Sequence, residues 1–105
     1  MNVAISKNGV PIRLTPERWQ HITLGHPEIA DYYYHILNAI ENPDIIYEGS
    51  NGAKIAVKLL EEREAKFIVL VYKEVTANDG FVITAYLSKR KQEFEKKTVL
   101  WKQQN

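Results

Sequence analysis

The apolar positions in the first half of the chain recur with the period of an α-helix. Thr15 followed by Pro16 predicts a helix start, because a hydroxyl suits the N-cap and proline costs no hydrogen bond in the first turn. This helix is expected to end near Gly25, since Pro27 disfavours helical geometry in the residue before it. A second helix from about Glu28 is predicted by an apolar stripe that ends at an Asn-Pro-Asp turn: Ile29, Tyr33, Ile36, Leu37 and Ile40.

The second half of the chain changes to a period of two residues, which is typical of β-strands. Strands are predicted over Ile45–Glu48, Lys54–Leu60, Lys66–Val75, Phe81–Ser88 and Thr98–Trp101. Asn-Gly and Asn-Asp-Gly sequences supply turns between them. Helices followed by hairpin-linked strands predict an α+β domain, with two N-terminal helices packed on one face of an antiparallel sheet of about four strands. Residues 1–105 are expected to form this single domain.

The strand Phe81–Ser88 is predicted to have one polar face. Alternation divides its residues into Phe81, Ile83, Ala85 and Leu87 on one face and Val82, Thr84, Tyr86 and Ser88 on the other. Lys58 is expected to project from the polar side, and Lys89, Arg90 and Lys91 follow the strand directly. Hydroxyls beside lysine and arginine can hold a phosphodiester. A solvated sheet face with no binding role fits the same pattern.

Composition limits the classes of protein that fit. The chain has 105 residues, enough for one domain with its own core. It contains no cysteine, which excludes disulfides and thiolate metal sites and favours a reducing, cytoplasmic setting. No apolar run approaches the roughly 20 residues of a membrane span, and the N-terminus does not resemble a signal peptide. Neither a membrane partner nor secretion is therefore expected.

Charge is unevenly distributed along the chain. Residues 1–52 hold three Lys and Arg against six Asp and Glu, whereas residues 53–105 hold eleven against seven. A basic half can face phosphate groups, although an ordinary solvated surface produces the same imbalance. Charge alone therefore leaves open whether a nucleic acid is the partner.

Histidines are the candidate groups for proton transfer at neutral pH. His21 lies within the first predicted helix and His26 at its end. A spacing of five residues does not put two ligands on one helical face, so no metal site is predicted. A helix-face position for His21 and a C-terminal cap for His26 explain both residues without any catalytic role.

Five segments carry a recognisable pattern: IRLTPERWQHITLGHPEI, ENPDIIYEG, KFIVLVYKEV, GFVITAYLSKRK and VLW. Together they resemble a family of small phage- and bacteria-associated domains, the Barnase–EndoU–Colicin–RelE-like (BECR) nucleases. The resemblance extends from about Ile12 to Trp101, and its most specific parts are Arg18–Glu28 and Gly80–Leu87. The family fold, two N-terminal helices over a four-stranded antiparallel sheet, is the one that periodicity predicts.

The resemblance implies a metal-independent endoribonuclease that needs no cofactor. In this chemistry a base takes the proton of a ribose 2′-OH, which attacks the adjacent phosphate, and an acid protonates the leaving 5′ oxygen. The implied catalytic residues are His21, His26, Thr84 and Tyr86. The implied phosphate- and RNA-binding residues are Lys58, Ser88 and Arg90.

Other classes of function remain open. A non-catalytic module could bind RNA or a protein on the exposed sheet face, and an interaction protein could form a homodimer through Trp101 and the sheet edges. A toxin-like nuclease would add an antitoxin or immunity protein as a partner. Catalysis requires a histidine of Arg18–Glu28 within hydrogen-bond or one-water reach of Thr84, Tyr86 or Arg90, so geometry separates these classes.

Overall fold

A computed structural model describes residues 2–61 and 66–104 of the chain. Within these ranges seven strands form one mixed sheet, in the spatial order β1-β2-β6-β5-β4-β3-β7. The strands are β1 (Asn2–Ile5), β2 (Pro11–Leu14), β3 (Ile45–Glu48), β4 (Lys54–Glu61), β5 (Lys66–Thr76), β6 (Asp79–Ser88) and β7 (Val99–Lys102). The α-helices are α1 (Pro16–Gly25) and α2 (Tyr33–Glu41), joined by the 3-10 segment Pro27–Tyr32. Neither described helix has the length and apolarity to cross a membrane.

The predicted arrangement of two N-terminal helices on a four-stranded antiparallel sheet is wrong. Two strands precede the helices: β1 pairs antiparallel with β2, and β2 runs parallel to β6, with Ile12 opposite Gly80. In β1 the large apolar residues Val3 and Ile5 are exposed and the buried residue is Ala4, so hydrophobic alternation does not mark its core face. Strand β2 begins with Pro11, a residue that strand patterns disfavour. The partner of β2 is also distant in sequence, and no local pattern encodes such a pairing.

The elements that have local signals form where those signals predict them. Thr15 caps α1, and its side-chain oxygen accepts a hydrogen bond from the Arg18 N–H at 3.1 Å. Asn51 and Gly52 have φ values of 54° and 80°, the left-handed geometry of a tight turn, and β3 pairs antiparallel with β4 across it. The predicted second helix differs in one respect, because it begins as the 3-10 segment before α2.

The two faces of the sheet are covered differently. The helices cover one side, here called the helix face, over the main buried core: Ala4, Val10, Ile12, Leu14, Ile22, Ile29, Ile36, Ala39, Ile40, Ala56, Ile68, Leu70, Tyr72, Val82 and Ala85. The other side, here called the open face, carries a smaller buried cluster of Ile55, Val57, Val69 and Phe94. Phe94 belongs to the short segment after β6, so this segment packs on part of the open face.

The sheet is strongly curved. Six spacings of about 4.8 Å would separate the outer strands of a flat seven-stranded sheet by roughly 29 Å. Lys7, in the turn between β1 and β2, nevertheless has its Nζ 4.9 Å from the ring centre of Trp101 on β7. The turn after β1 therefore bends across the sheet towards the opposite edge.

Glu74 on β5 anchors the same turn. Its carboxylate accepts hydrogen bonds from Ser6 Oγ at 2.5 Å and Asn8 Nδ2 at 2.9 Å, and it lies 3.4 Å from Lys54 Nζ on β4. Burial alone would raise the pKa of this carboxyl, but the hydrogen bonds and the lysine charge outweigh burial, so the pKa lies below its ordinary value.

The lowered pKa of Glu74 predicts a loss of stability in acid. The contribution is complete above the unfolded-state pKa of about 4.3 and disappears as pH falls through the lower folded-state pKa. Glu74→Gln should lower the free energy of unfolding at neutral pH by about 1–3 kcal/mol and flatten its decrease in acid. Urea unfolding at about pH 7 and about pH 3 measures the free energy of unfolding at neutral pH and its decrease in acid. Glu41→Gln, at an exposed position, is the control. An unchanged pH dependence in Glu74→Gln would contradict this account.

Candidate functional site

A β-bulge in β6 decides which of its side chains reach the open face. Val71 of β5 lies opposite Thr84, but the next residue of β5 lies opposite Val82, so Ile83 is the extra residue. Val82 therefore turns to the helix face with Ala85, and its predicted place beside Thr84 is wrong. Thr84, Tyr86 and Ser88 stay together on the open face.

Side chains of the open face form rows that cross several strands. The row through Tyr86 continues over Val69, Val57, Ile45 and Lys102. The row through Ser88 continues over Phe67 and Leu59. The two rows are two residues apart, which is about 7 Å along a strand. Tyr86 packs against the buried cluster, and its hydroxyl donates to Glu93 Oε1 at 3.5 Å.

Helix α1 lies along the outer edge of β6 and brings His26 to Tyr86. Strand β2 pairs with only the first part of β6, so in the described chain the rest of this edge has no neighbouring strand. Arg18 Nη1 donates to the backbone carbonyl of Ile83, at the bulge, at 3.4 Å. His26 follows the last residue of α1, and its ring centre lies 5.5 Å from that of Tyr86, with the planes inclined at 30°.

Charges around the ring pair suit proton transfer. Glu28 Oε2 lies 3.7 Å from His26 Nδ1, so a carboxylate stands beside the imidazole. Burial raises the pKa of Tyr86, and the negative charge of Glu93 raises it further. The Tyr86 hydroxyl therefore keeps its proton at neutral pH and can donate a hydrogen bond. The pair thus combines a proton acceptor with a hydrogen-bond donor.

Ser88 and Arg90 continue the site beyond the end of β6. The Arg90 backbone N–H donates to Ser88 Oγ at 3.0 Å, which fixes the turn that leaves the strand. Both residues line a cavity of about 360 Å³ on the open face, next to the cluster that supports Tyr86. The structure thus brings His26, Tyr86, Ser88 and Arg90 to one region.

Other predicted site residues lie apart from this region. Lys58 is in register with helix-face residues of β5, and its Nζ lies 3.9 Å from Asp44 Oδ1, so the prediction that it projects beside Tyr86 is wrong. Thr84 occupies the row on the far side of Tyr86 from Ser88. Thr84 does not line the cavity, and its catalytic role stays a prediction.

His21 is exposed on α1, where it lines a shallow depression with Thr15, Glu17 and Arg18. It therefore belongs to a different part of the surface from the contact between His26 and Tyr86. Among residues 2–61 and 66–104, no three His, Cys, Asp or Glu side chains lie close enough together to hold a metal ion.

Two residues near the site are absent from the sequence-based predictions. Phe94 is the one aromatic residue in the charged segment 89–97, and an isolated apolar side chain of this kind is a usable signal for an anchor on the core. It is 5% exposed in the open-face cluster, where it holds the segment that carries Glu93 against the sheet. Nothing in the sequence distinguishes Glu93 from Glu95.

Comparison with known proteins finds no match: no family model, no curated protein and no solved structure matches this chain. The resemblance to BECR nucleases therefore stays a prediction from the five sequence segments.

Proposed function

We propose that this protein is a metal-independent endoribonuclease of the BECR type that acts on RNA in the cytoplasm. The observation that supports the proposal is the 5.5 Å ring contact between His26 and Tyr86. It joins the histidine segment and the strand segment that carry the resemblance, although 60 residues separate them. Catalysis requires such a contact, because proton transfer needs a base near the groups that hold the phosphate.

Each residue of the region has a role in this chemistry. The His26 imidazole takes the proton of the ribose 2′-OH, and Glu28 stabilises the resulting positive charge. The 2′ oxygen attacks phosphorus, the bond to the 5′ oxygen breaks, and the leaving 5′ oxygen takes a proton from water, while the proton on His26 returns to the solvent. The products are a 2′,3′-cyclic phosphate and a 5′-OH end. The Tyr86 hydroxyl turns from Glu93, to which it donates in the absence of substrate, and donates instead to the phosphorane, while Arg90 and Ser88 hold the phosphate.

The proposal predicts cleavage in the presence of EDTA. Purified protein incubated with mixed RNA, transfer RNA and ribosome-bound message should generate 2′,3′-cyclic phosphate ends. Tyr86→Phe should lower the rate by about 10²-fold, because it removes one hydrogen-bond donor to the developing charge. Tyr32→Phe, which also deletes one phenol oxygen, is the matched control and should retain the wild-type rate. Intact RNA with every substrate would rule out the nuclease.

A module that binds RNA without cleaving it is the second candidate. The observation that favours it is the pair of cationic side chains, Arg90 and Lys102, that line the open-face cavity. Binding would then weaken steeply with salt, because phosphate contacts release counterions, while the RNA stays intact. The expectations of an antitoxin or immunity protein and of a homodimer stay predictions.

A further inference from the structure

The open-face cavity has an apolar and aromatic interior that the proposed chemistry does not use. The buried side chains of Val57 and Phe94 line it, together with Tyr47, Leu59 and Phe67. The rings of Tyr47 and Phe94 stack, with centres 5.3 Å apart and planes inclined at 23°. The volume of about 360 Å³ falls within the range of ligand sites, which starts at about 300 Å³. This apolar and aromatic lining suits a flat ring more than it suits a phosphate group.

The rim of the cavity is positively charged. Arg90 and Lys102 line it, and neither forms an ion pair with any residue in the described part of the chain. Asp44 lines it as well, but its carboxylate accepts from the Leu59 N–H at 2.6 Å and lies 3.9 Å from Lys58 Nζ. Among the lining residues, two cations without an ion pair thus outnumber the one carboxylate, which already has partners, and the charge of Glu95 also reaches Tyr47. A ligand with an anionic group beside its ring fits this distribution.

We propose that the cavity is a nucleobase subsite, which takes the base of an RNA nucleotide whose phosphate lies at Ser88 and Arg90. The ring packs against the aromatic and aliphatic lining, and the phosphate meets the cations of the rim. This proposal rests on the proposed ribonuclease function. The row of open-face side chains that contains Ser88 borders the row that contains Tyr86, at about 7 Å. A base seated in the cavity therefore positions this same phosphate, the one that is attacked, next to Tyr86 and His26.

Binding of small ligands tests the subsite without any cleavage step. Isothermal titration calorimetry compares the four nucleoside 5′-monophosphates with ribose 5-phosphate, which has the same phosphate and sugar but no base. At least one nucleotide should bind about tenfold more tightly than ribose 5-phosphate, because stacking on aromatic side chains contributes to the binding free energy of every base. Adenosine and the other free nucleosides, which have no phosphate, should also bind more weakly than their nucleotides.

Three variants locate the binding. Arg90→Gln should weaken nucleotide binding at least about fivefold, since it removes a charge-assisted contact, and the exposed Lys97→Gln carries the same change of charge as a control. Leu59→Trp fills the cavity and should abolish the preference for nucleotides over ribose 5-phosphate. Circular dichroism shows whether Leu59→Trp folds. Because Arg90 is exposed, Arg90→Gln tests the subsite even if Leu59→Trp does not fold.

The outcomes separate this proposal from the nuclease. Base-dependent binding that Arg90→Gln weakens supports the subsite even if RNA stays intact, and in that case only the cleavage proposal fails. Equal affinity for ribose 5-phosphate and all four nucleotides would overturn the subsite, even if the protein cleaves RNA. Nucleotide binding that neither Arg90→Gln nor a folded Leu59→Trp changes would overturn it as well.

Discussion

Replacing His26 by alanine should slow RNA cleavage by about 10²–10⁴-fold, because in the proposed mechanism the imidazole accepts the 2′-OH proton. The His26 side chain is 41% exposed and contacts Tyr86 and Glu28 at the edge of the sheet, so its loss leaves the buried core intact. Single-turnover rates with one oligoribonucleotide at saturating protein measure the effect. The affinity for the same RNA should change little, since the imidazole acts on the reacting proton.

Two further histidine variants make the experiment specific. His35→Ala is the matched control, because His35 is exposed on α2 and its ring contacts Tyr32 on the helix side. His21→Ala distinguishes the two histidines of the first segment, and we expect less than about a tenfold effect from it. A large effect of His21→Ala combined with none from His26→Ala would show that the base is wrongly assigned.

Gly80→Ala should lower the free energy of unfolding by about 3 kcal/mol or prevent folding, because the new methyl group has no space. A Cβ at this position would lie 2.6 Å from both Ile12 Cδ1 and the Lys73 carbonyl oxygen. Ile12 is fully buried and the carbonyl belongs to the backbone of β5, so neither atom can move away without disturbing the sheet. Urea denaturation gives the change directly.

Gly25→Ala provides the control for this substitution. Gly25 ends α1, and a Cβ there would meet nothing within 4 Å. Alanine also has the higher helix propensity, so this variant should be within about 1 kcal/mol of the wild type or more stable. Wild-type stability in Gly80→Ala would contradict the close approach of β2 to β6.

The sequence predicts those elements of the fold that depend on neighbouring residues. The Thr15-Pro16 start of α1 and the tight turn at Asn51 and Gly52 are local, and both are confirmed. Strand β1 exposes its large apolar residues and β2 begins with a proline, so neither has a clear strand pattern, and the parallel partner of β2 lies in the second half of the chain. The bulge at Ile83 also has no local signal, since no glycine stands there.

In the candidate site, too, the sequence predicts only the features that depend on neighbouring residues. Alternation along one strand correctly puts Tyr86 and Ser88 on one face, because only local geometry is involved. The approach of His26 depends on α1 following the free edge of β6, which in turn depends on the short length of β2. Alternation within β4 does put Lys58 on the face opposite Val57, but sequence could not relate that face to the face of β6.

The pairing of β2 with β6 also determines the order in which the molecule can assemble. Ile12 and Gly80 are 68 positions apart, whereas β3, β4, β5 and β6 pair consecutively with their neighbours along the chain. Pairings between distant segments form slowly, so we expect the meander of β3 to β6 to fold before the N-terminal segment docks on it. His26 arrives with that segment. A molecule with a complete meander but an undocked N-terminus would therefore show native strand signals and none of the proposed ribonuclease activity.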